Sequence, residues 1–156
     1  MKNLSMNNLA NSPLIRNATH DDIEKMKNLV LSLVHLVCDE TMPDWFADTL
    51  SEKSFFTRIS SDDFKHFIYE INNNIVGFVA IKNDEHIYHL FVDKAYQGRG
   101  IAKALWQHTK SQSSYSQFSV NSSIFAVNVY KSFGFQEIGE IQNYNGLVYQ
   151  QMQYGK

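Results

Sequence analysis

HIYHLFVDKAYQGRGIAKAL, residues 86–105, is the stretch on which the fold turns. Its first seven residues are rich in β-branched and aromatic side chains and read as a strand over 86–92. Residues 93–96 lead into Gln97-Gly98-Arg99-Gly100, after which the periodicity changes: Ile101, Ala104, Leu105 and His108 fall on one face of a helix. A helix that starts here leaves its first backbone N–H groups without intrahelical partners, and such a terminus favours phosphate. Gly98 and Gly100 remove side chains that would hold a ligand away, and Ala102 is small where the first turn must approach it. Two glycines ahead of a helix also occur as an ordinary turn, so context decides. The dinucleotide fingerprint needs a third glycine where Lys103 stands, and the Gly-Lys-Ser/Thr of a nucleoside triphosphate loop occurs nowhere in the chain.

Upstream, two further apolar runs at 66–71 and 75–82 are separated by the turn formers Asn72-Asn73-Asn74 and Asn83-Asp84, which predicts an antiparallel meander ending in the 86–92 strand. A short strand at 14–16 precedes Thr19, an N-cap with Asp22 three residues on. Ile23, Met26, Val30, Leu33, Val34 and Val37 then carry the spacing of a buried helical face. Between 39 and 61 the pattern weakens around Pro43 into a loop and a short irregular helix, expected to form a lid or wall. Downstream, 118–121 reads as a strand, and Ser123 caps a helix whose buried stripe is Ala126, Val129, Tyr130 and Phe133, ending at Gly134. Strands at 135–141 and 147–154 close a hairpin over Asn145-Gly146. The expected fold is α/β: a mixed, mostly antiparallel central sheet of about six to seven strands with helices on both faces.

The chain has 156 residues, a formal charge of −2 and a single cysteine, Cys38. This length suits one domain, read as 13–156 after an Asn-rich tail over 1–12. The charge gives no positive field for duplex nucleic acid or an anionic membrane. No apolar run approaches the roughly 20 residues that span a bilayer, and a cytoplasmic location is expected. Cys38, near His35, reads as a buried helix residue without nucleophilic duty.

LFVDKAYQGRGIAKAL, followed about 20 residues later by NSSIFAVNVYKSFGF, resembles the GNAT superfamily of N-acetyltransferases. The family pattern Gln/Arg-x-x-Gly-x-Gly/Ala is met by Gln97, Gly100 and Ala102, and its Ala, Tyr and Gly-Phe by Ala126, Tyr130 and Gly134-Phe135. Where the family often has Asn at the start of the second helix, this chain has the shorter Ser123. The resemblance implies acetyl-CoA as cosubstrate, with the pantetheine arm in a slot beside the 86–92 strand and paired with the backbone of Leu90 and Val92. It implies that the Leu90 N–H polarises the thioester carbonyl and that Tyr130 protonates the departing thiolate. Gln97, Gly98, Arg99, Gly100, Ile101, Ala102 and Lys103 are the expected cradle for the cofactor's phosphates, with Ser123 and Asn128 as further cofactor contacts.

Transfer to an amine needs a neutral nucleophile, and a lysine-like amine of pKa about 10.4 is only ~0.1% neutral near pH 7.4. A base is therefore useful. His86 is the leading candidate, on the strand where many family members carry glutamate, with Glu85 and His89 as rivals. Simple alternation would place His86 and Tyr88 on one face with Leu90 and turn His89 to the other, which argues against a metal pair, and no metal is expected. Asp39, Glu40, Asp44, Trp45, Phe46 and Asp48 combine acids with aromatic surface and suit a cationic acceptor. The acceptor is read as a primary amine of a small molecule or peptide. A non-catalytic acyl-CoA-binding module and a protein-interaction domain on the same scaffold stand as alternatives, and a homodimer is compatible with the fold.

Overall fold

Thr19 opens the first helix as its neighbours dictate: the Thr19 N–H donates to Asp22 Oδ2 at 2.8 Å, and the Asp22 N–H returns to the Thr19 carbonyl at 3.0 Å. A computed structural model describes residues 13–34 and 42–155. It runs β1 (Leu14–Asn17), a 3-10 turn (His20–Asp22), α1 (Ile23–Leu33), α2 (Asp44–Thr49), α3 (Glu52–Ile59), β2 (Phe64–Ile71), β3 (Asn74–Lys82) and β4 (His86–Val92). It continues with α4 (Ile101–Gln112), β5 (Phe118–Ser122), α5 (Val127–Ser132), β6 (Gln136–Glu137), β7 (Gln142–Tyr144) and β8 (Leu147–Tyr154). The tail over 1–12 and the expectations for His35, Val37, Cys38, Asp39 and Glu40 lie outside the described residues.

The strands form one sheet in the order β1-β2-β3-β4-β5-β8-β6, with β7 paired to β8. Among the described strands only β4 and β5 pair in parallel. The predicted turns fall where the sequence puts them, because Asn and Gly tolerate positive φ: Asn72 and Asn73 join β2 to β3 at 53° and 66°, and Asn145 and Gly146 join β7 to β8 at 48° and 95°. Asn74, read as turn, is the first residue of β3.

Each face of the sheet buries its own core. On one side Met26, Leu29, Val30 and Leu33 of α1 pack with Leu50, Phe55, Ile68 and Phe78. On the other, Ile101, Leu105 and Trp106 of α4 pack with Val79, Ile81, Ile87, Val120, Tyr130 and Phe135. Trp106, outside the four-residue face read from the sequence, meets Phe118, Phe135 and Tyr154 at 5.0–5.2 Å between ring centroids.

Three expectations need correction. Residues 44–59 hold two helices, not a loop and one irregular helix. Ser51 separates them and caps α3 by accepting from the Ser54 N–H at 3.1 Å, and Phe55 is fully buried. The strand expected over 135–141 is interrupted after Glu137, because Gly139 turns the chain at φ 67°, and pairing resumes at Gln142. The stripe on the second helix is narrower than read: a 3-10 turn (Ile124–Ala126) precedes α5, Tyr130 is buried, and Val129 is 41% exposed.

Asp22 ties the first helix to the sheet edge through Arg16, whose guanidinium donates to both Asp22 oxygens at 2.8 and 2.9 Å and also reaches Glu70. These bonds to Arg16 hold the Asp22 carboxyl below its ordinary value, against the opposing effect of burial. A carboxyl depressed in the folded state stabilises above its unfolded pKa and loses that contribution as pH falls through its folded value. Asp22→Asn is therefore expected to cost about 1–3 kcal/mol at pH 7, with the gap to wild type narrowing below roughly pH 4. Urea unfolding at a series of pH values measures this, and a gap that stays constant into acid would exclude the carboxylate as its source.

Candidate active site

A bulge in β4 sets the geometry of the site. Ile81 pairs with Ile87 and Ala80 with His89, so Tyr88 is an extra residue with no partner on β3. Ile87, Leu90 and Val92 accordingly face the α4 core, whereas His89 meets Phe78 edge to face on the α1 side, Phe91 lies tilted against Phe78, and Tyr88 lies beside His89 at 4.6 Å. This overturns the expected alternation. Tyr88 is on the face of His89, and His86, next to inward-facing Ile87, is turned away from Leu90.

Bulges bend a strand and increase its twist, and β4 leaves β5 at this point. The ladder between them contains only His86–Ser119 and Ile87–Val120. Beyond Ile87, no described strand pairs with β4 on that edge. The Asp93 N–H donates to the Val76 carbonyl at 2.8 Å, which makes Val92–Gly77 a non-hydrogen-bonded pair of the β3–β4 ladder, and two residues back Leu90–Val79 is another. Residues of such pairs aim their own N–H and C=O away from the partner strand. Leu90 and Val92 therefore direct backbone donors and acceptors into the gap left by β5. The Val92 carbonyl is taken by Gln97 Nε2 at 3.0 Å, which pins the loop to the strand; the Leu90 groups and the Val92 N–H are the ones left facing the gap.

The gap widens into a cleft of about 560 Å³. Its floor is Leu90, Val92 and Phe91; one end is the Gln97, Gly98, Gly100, Ile101, Ala102 and Lys103 loop; its far wall is Ser123, Phe125, Ala126, Val129, Tyr130 and Phe133. Leu33 of α1 lines it too, so the cleft passes between the splayed strands to the other face of the sheet. Gly98 and Gly100 both sit at φ +80°, and a Cβ at either would meet no protein atom within 4 Å. Their backbone therefore demands glycine for conformation, and the space beside them is open to a ligand. Tyr130 is only 5% exposed, and burial raises its phenol above the ordinary value, so it stays protonated.

Not every expected residue lies here. Arg99 is exposed beside the cleft, its guanidinium 5.0 Å from the Tyr96 ring, and Asn128 is exposed on α5; neither lines the cleft. Ser123 does line it, but its hydroxyl makes no capping bond. His86 is half-buried with Nδ1 2.8 Å from Ser119 Oγ, outside the cleft. Burial, then Lys82, lowers its pKa, against Glu85. Asp44 and Asp48 are exposed and Trp45 donates to the Asn145 carbonyl at 2.9 Å while meeting Tyr144 edge to face, so this aromatic pair holds α2 to the β7–β8 hairpin. Phe125 and Val129, apolar and 56% and 41% exposed, were missed as cleft residues; the signal was an aromatic just before the stripe, in a turn too short to bury it.

Residues 34–156 match the family described as acetyltransferase (GNAT) domain, and the chain belongs to that family. Its fold is similar to that of a GCN5-related N-acetyltransferase from Rhodopseudomonas palustris at TM-score 0.78 and 21% identity, covering 93% of this chain and 96% of that one. It is similar too to the PaiA N-acetyltransferase from Thermoplasma acidophilum, solved in complex with coenzyme A (TM-score 0.72, 15% identity, 93% and 99% covered). A mutant of the spermidine N-acetyltransferase SpeG from Vibrio cholerae gives TM-score 0.66 at 16% identity, with 90% and 92% covered. No curated protein sequence matches the chain.

Gly100→Ala tests the loop. The left-handed conformation costs an alanine about 1–2 kcal/mol, while the new methyl group points into open space. A modest loss of stability with a larger loss of coenzyme A affinity is expected by calorimetry; unchanged affinity would remove the loop from the binding surface.

Proposed function

We propose that the chain moves an acetyl group from acetyl-CoA to a primary amine of a small molecule or peptide by direct attack. The observation that carries this reading is the slot: a parallel strand pair that stops at Ile87–Val120 and leaves the Leu90 backbone groups and the Val92 N–H aimed into a cleft shared with Tyr130. An extended amide-bearing arm is what such an edge is built to pair with, since it replaces the missing strand. The apolar side chains around it suit a pantetheine chain, and the glycine-bearing loop at the start of α4 suits a pyrophosphate.

Acetyl-CoA supplies an activated thioester. The Leu90 N–H then donates to the carbonyl oxygen and stabilises the negative charge that grows there during attack. Because the donor is backbone, no side-chain substitution at 90 deletes it. Tyr130, kept protonated by burial, gives its phenolic proton to the departing sulfur. The ammonium form of the acceptor loses one proton to water before attack, and its second, released as the intermediate collapses, returns through water to the Tyr130 phenolate; His86, outside the cleft with its ring on Ser119, takes neither.

Release of free thiol from acetyl-CoA across a panel of amines tests the reading. Tyr130→Phe is expected to lower kcat by about 100-fold, within the usual contribution of a general acid, with coenzyme A affinity unchanged. His86→Gln is expected to leave the pH profile of kcat/KM as in wild type. Tight coenzyme A binding with no thiol release on any amine would favour a non-catalytic binding module instead.

A further inference from the structure

On the face of the sheet away from Leu90, Arg58 Nε, His66 Nε2 and His89 Nδ1 are buried with no hydrogen-bond partner among the described residues. All three residues are more than nine-tenths buried, at 7%, 5% and 7% exposure. They are neighbours by register. His66 of β2 and His89 of β4 both pair with Ala80 of β3, so the two imidazoles stand on the same face with a methyl group between them. Tyr88, brought to this face by the bulge, and Arg58 of α3 join them, with the guanidinium 5.1 Å from the Tyr88 ring and 4.9 Å from Phe55.

The cluster is short of negative charge. Arg58 donates to the Thr49 carbonyl at 2.7 Å, but among the described residues no carboxylate pairs with it. Burial and the nearby guanidinium hold both imidazoles neutral, His66 pushed down to about 4 and His89 well below the ordinary value. Each ring therefore has one N–H to donate. Among the described residues the patch holds one cation and spare donors, with the Tyr88 hydroxyl and the Thr49 carbonyl as the oxygens beside the guanidinium, and a buried charge without a counter-ion is costly.

We propose that Arg58, His66 and His89 form a carboxylate site, and that its occupant is a carboxylate carried by the acceptor amine itself. His89 directly precedes Leu90 in β4, and Phe91, 5.4 Å from the His89 ring, lines the cleft. A carboxylate on His89 and Arg58 is thus one β4 residue along the chain from the Leu90 N–H where the amine attacks, a relation that suits a short amino acid. This assignment rests on the acetyl-transfer reading. It also sets the acceptor apart from a polyamine, which Arg58 repels.

The test uses the full chain, saturating acetyl-CoA, and a panel of α- and ω-amino acids each paired with its carboxamide. Wild type is expected to prefer at least one carboxylate over its carboxamide by about tenfold or more in kcat/KM, through KM. Arg58→Gln abolishes that preference and leaves coenzyme A affinity unchanged, and Arg58→Lys restores part of it. A parallel arm needs no turnover: the N-acetylated product binds the coenzyme A-loaded protein by calorimetry more tightly than its carboxamide. His66→Leu repeats the comparison should the Arg58 variants fail to fold. Sodium formate raising the Tm of wild type but not of Arg58→Gln, without any acceptor preference, would assign the site to a free carboxylate and keep the anion site. Thiol release from no acceptor would defeat acetyl transfer while the formate arm still reads the site. Equal use of matched acceptors, equal product binding and no response to formate would overturn the proposal.

Discussion

The site depends on one extra residue in one strand. Tyr88 has no partner on β3, and two consequences follow from that insertion. The phase of β4 reverses, so that Leu90 and Val92 share the α4 face with Ile87 instead of opposing it. The strand also bends away from β5, whose pairing with β4 ends at Ile87–Val120. Without the bulge, continued pairing would consume the backbone groups of Leu90 and Val92, and the cleft would be closed sheet.

A sheet split in this way exposes polar backbone, and the rest of the molecule is arranged around tolerating it. The Gln97 side chain covers one of the freed carbonyls, that of Val92, and draws the loop up against the strand. Two glycines with left-handed backbone then turn the chain into α4. On the opposite wall α5 is only six residues long, and it presents Tyr130 inward while leaving Phe125 and Val129 at the mouth. Apolar side chains left exposed around unpaired backbone describe a surface that is complete only when an extended, partly apolar ligand lies in it.

Much of this was legible because it is local. The turns at Asn72-Asn73 and Asn145-Gly146 depend on residues that accept positive φ, and the Gln97 to Ala102 loop announces itself by two glycines at a change of periodicity. Tyr130 and the loop residues could be placed together only through the resemblance, since spacing along the chain says nothing of which elements meet. The bulge was not legible. Alternation in HIYHLFV reads without interruption, and the pairing partner that makes Tyr88 supernumerary is on β3. That is why His86 was expected beside Leu90 and is found against Ser119. The two helices over 44–59 were hidden for a similar reason: their anchors, Trp45 on Asn145 and Arg58 on Thr49, are long-range or carbonyl contacts that leave no periodic trace.

The same reasoning changes what Asp44, Trp45, Phe46 and Asp48 can mean. Acids next to aromatics suggest a pocket for a cation only while both are free to face it. Here Trp45 is spent on the hairpin, Phe46 packs against the α1 core, and the two acids look outward. Two charges are buried in this half of the molecule, and Asp22 is paired with Arg16, which leaves Arg58 as the buried charge with no carboxylate partner among the described residues. Burial raises the energetic weight of a charge because water no longer screens it, so one enclosed guanidinium outweighs two solvated carboxylates in deciding which ligand the interior favours. Sequence composition counts all of these groups equally, whereas the fold ranks them by their distance from water.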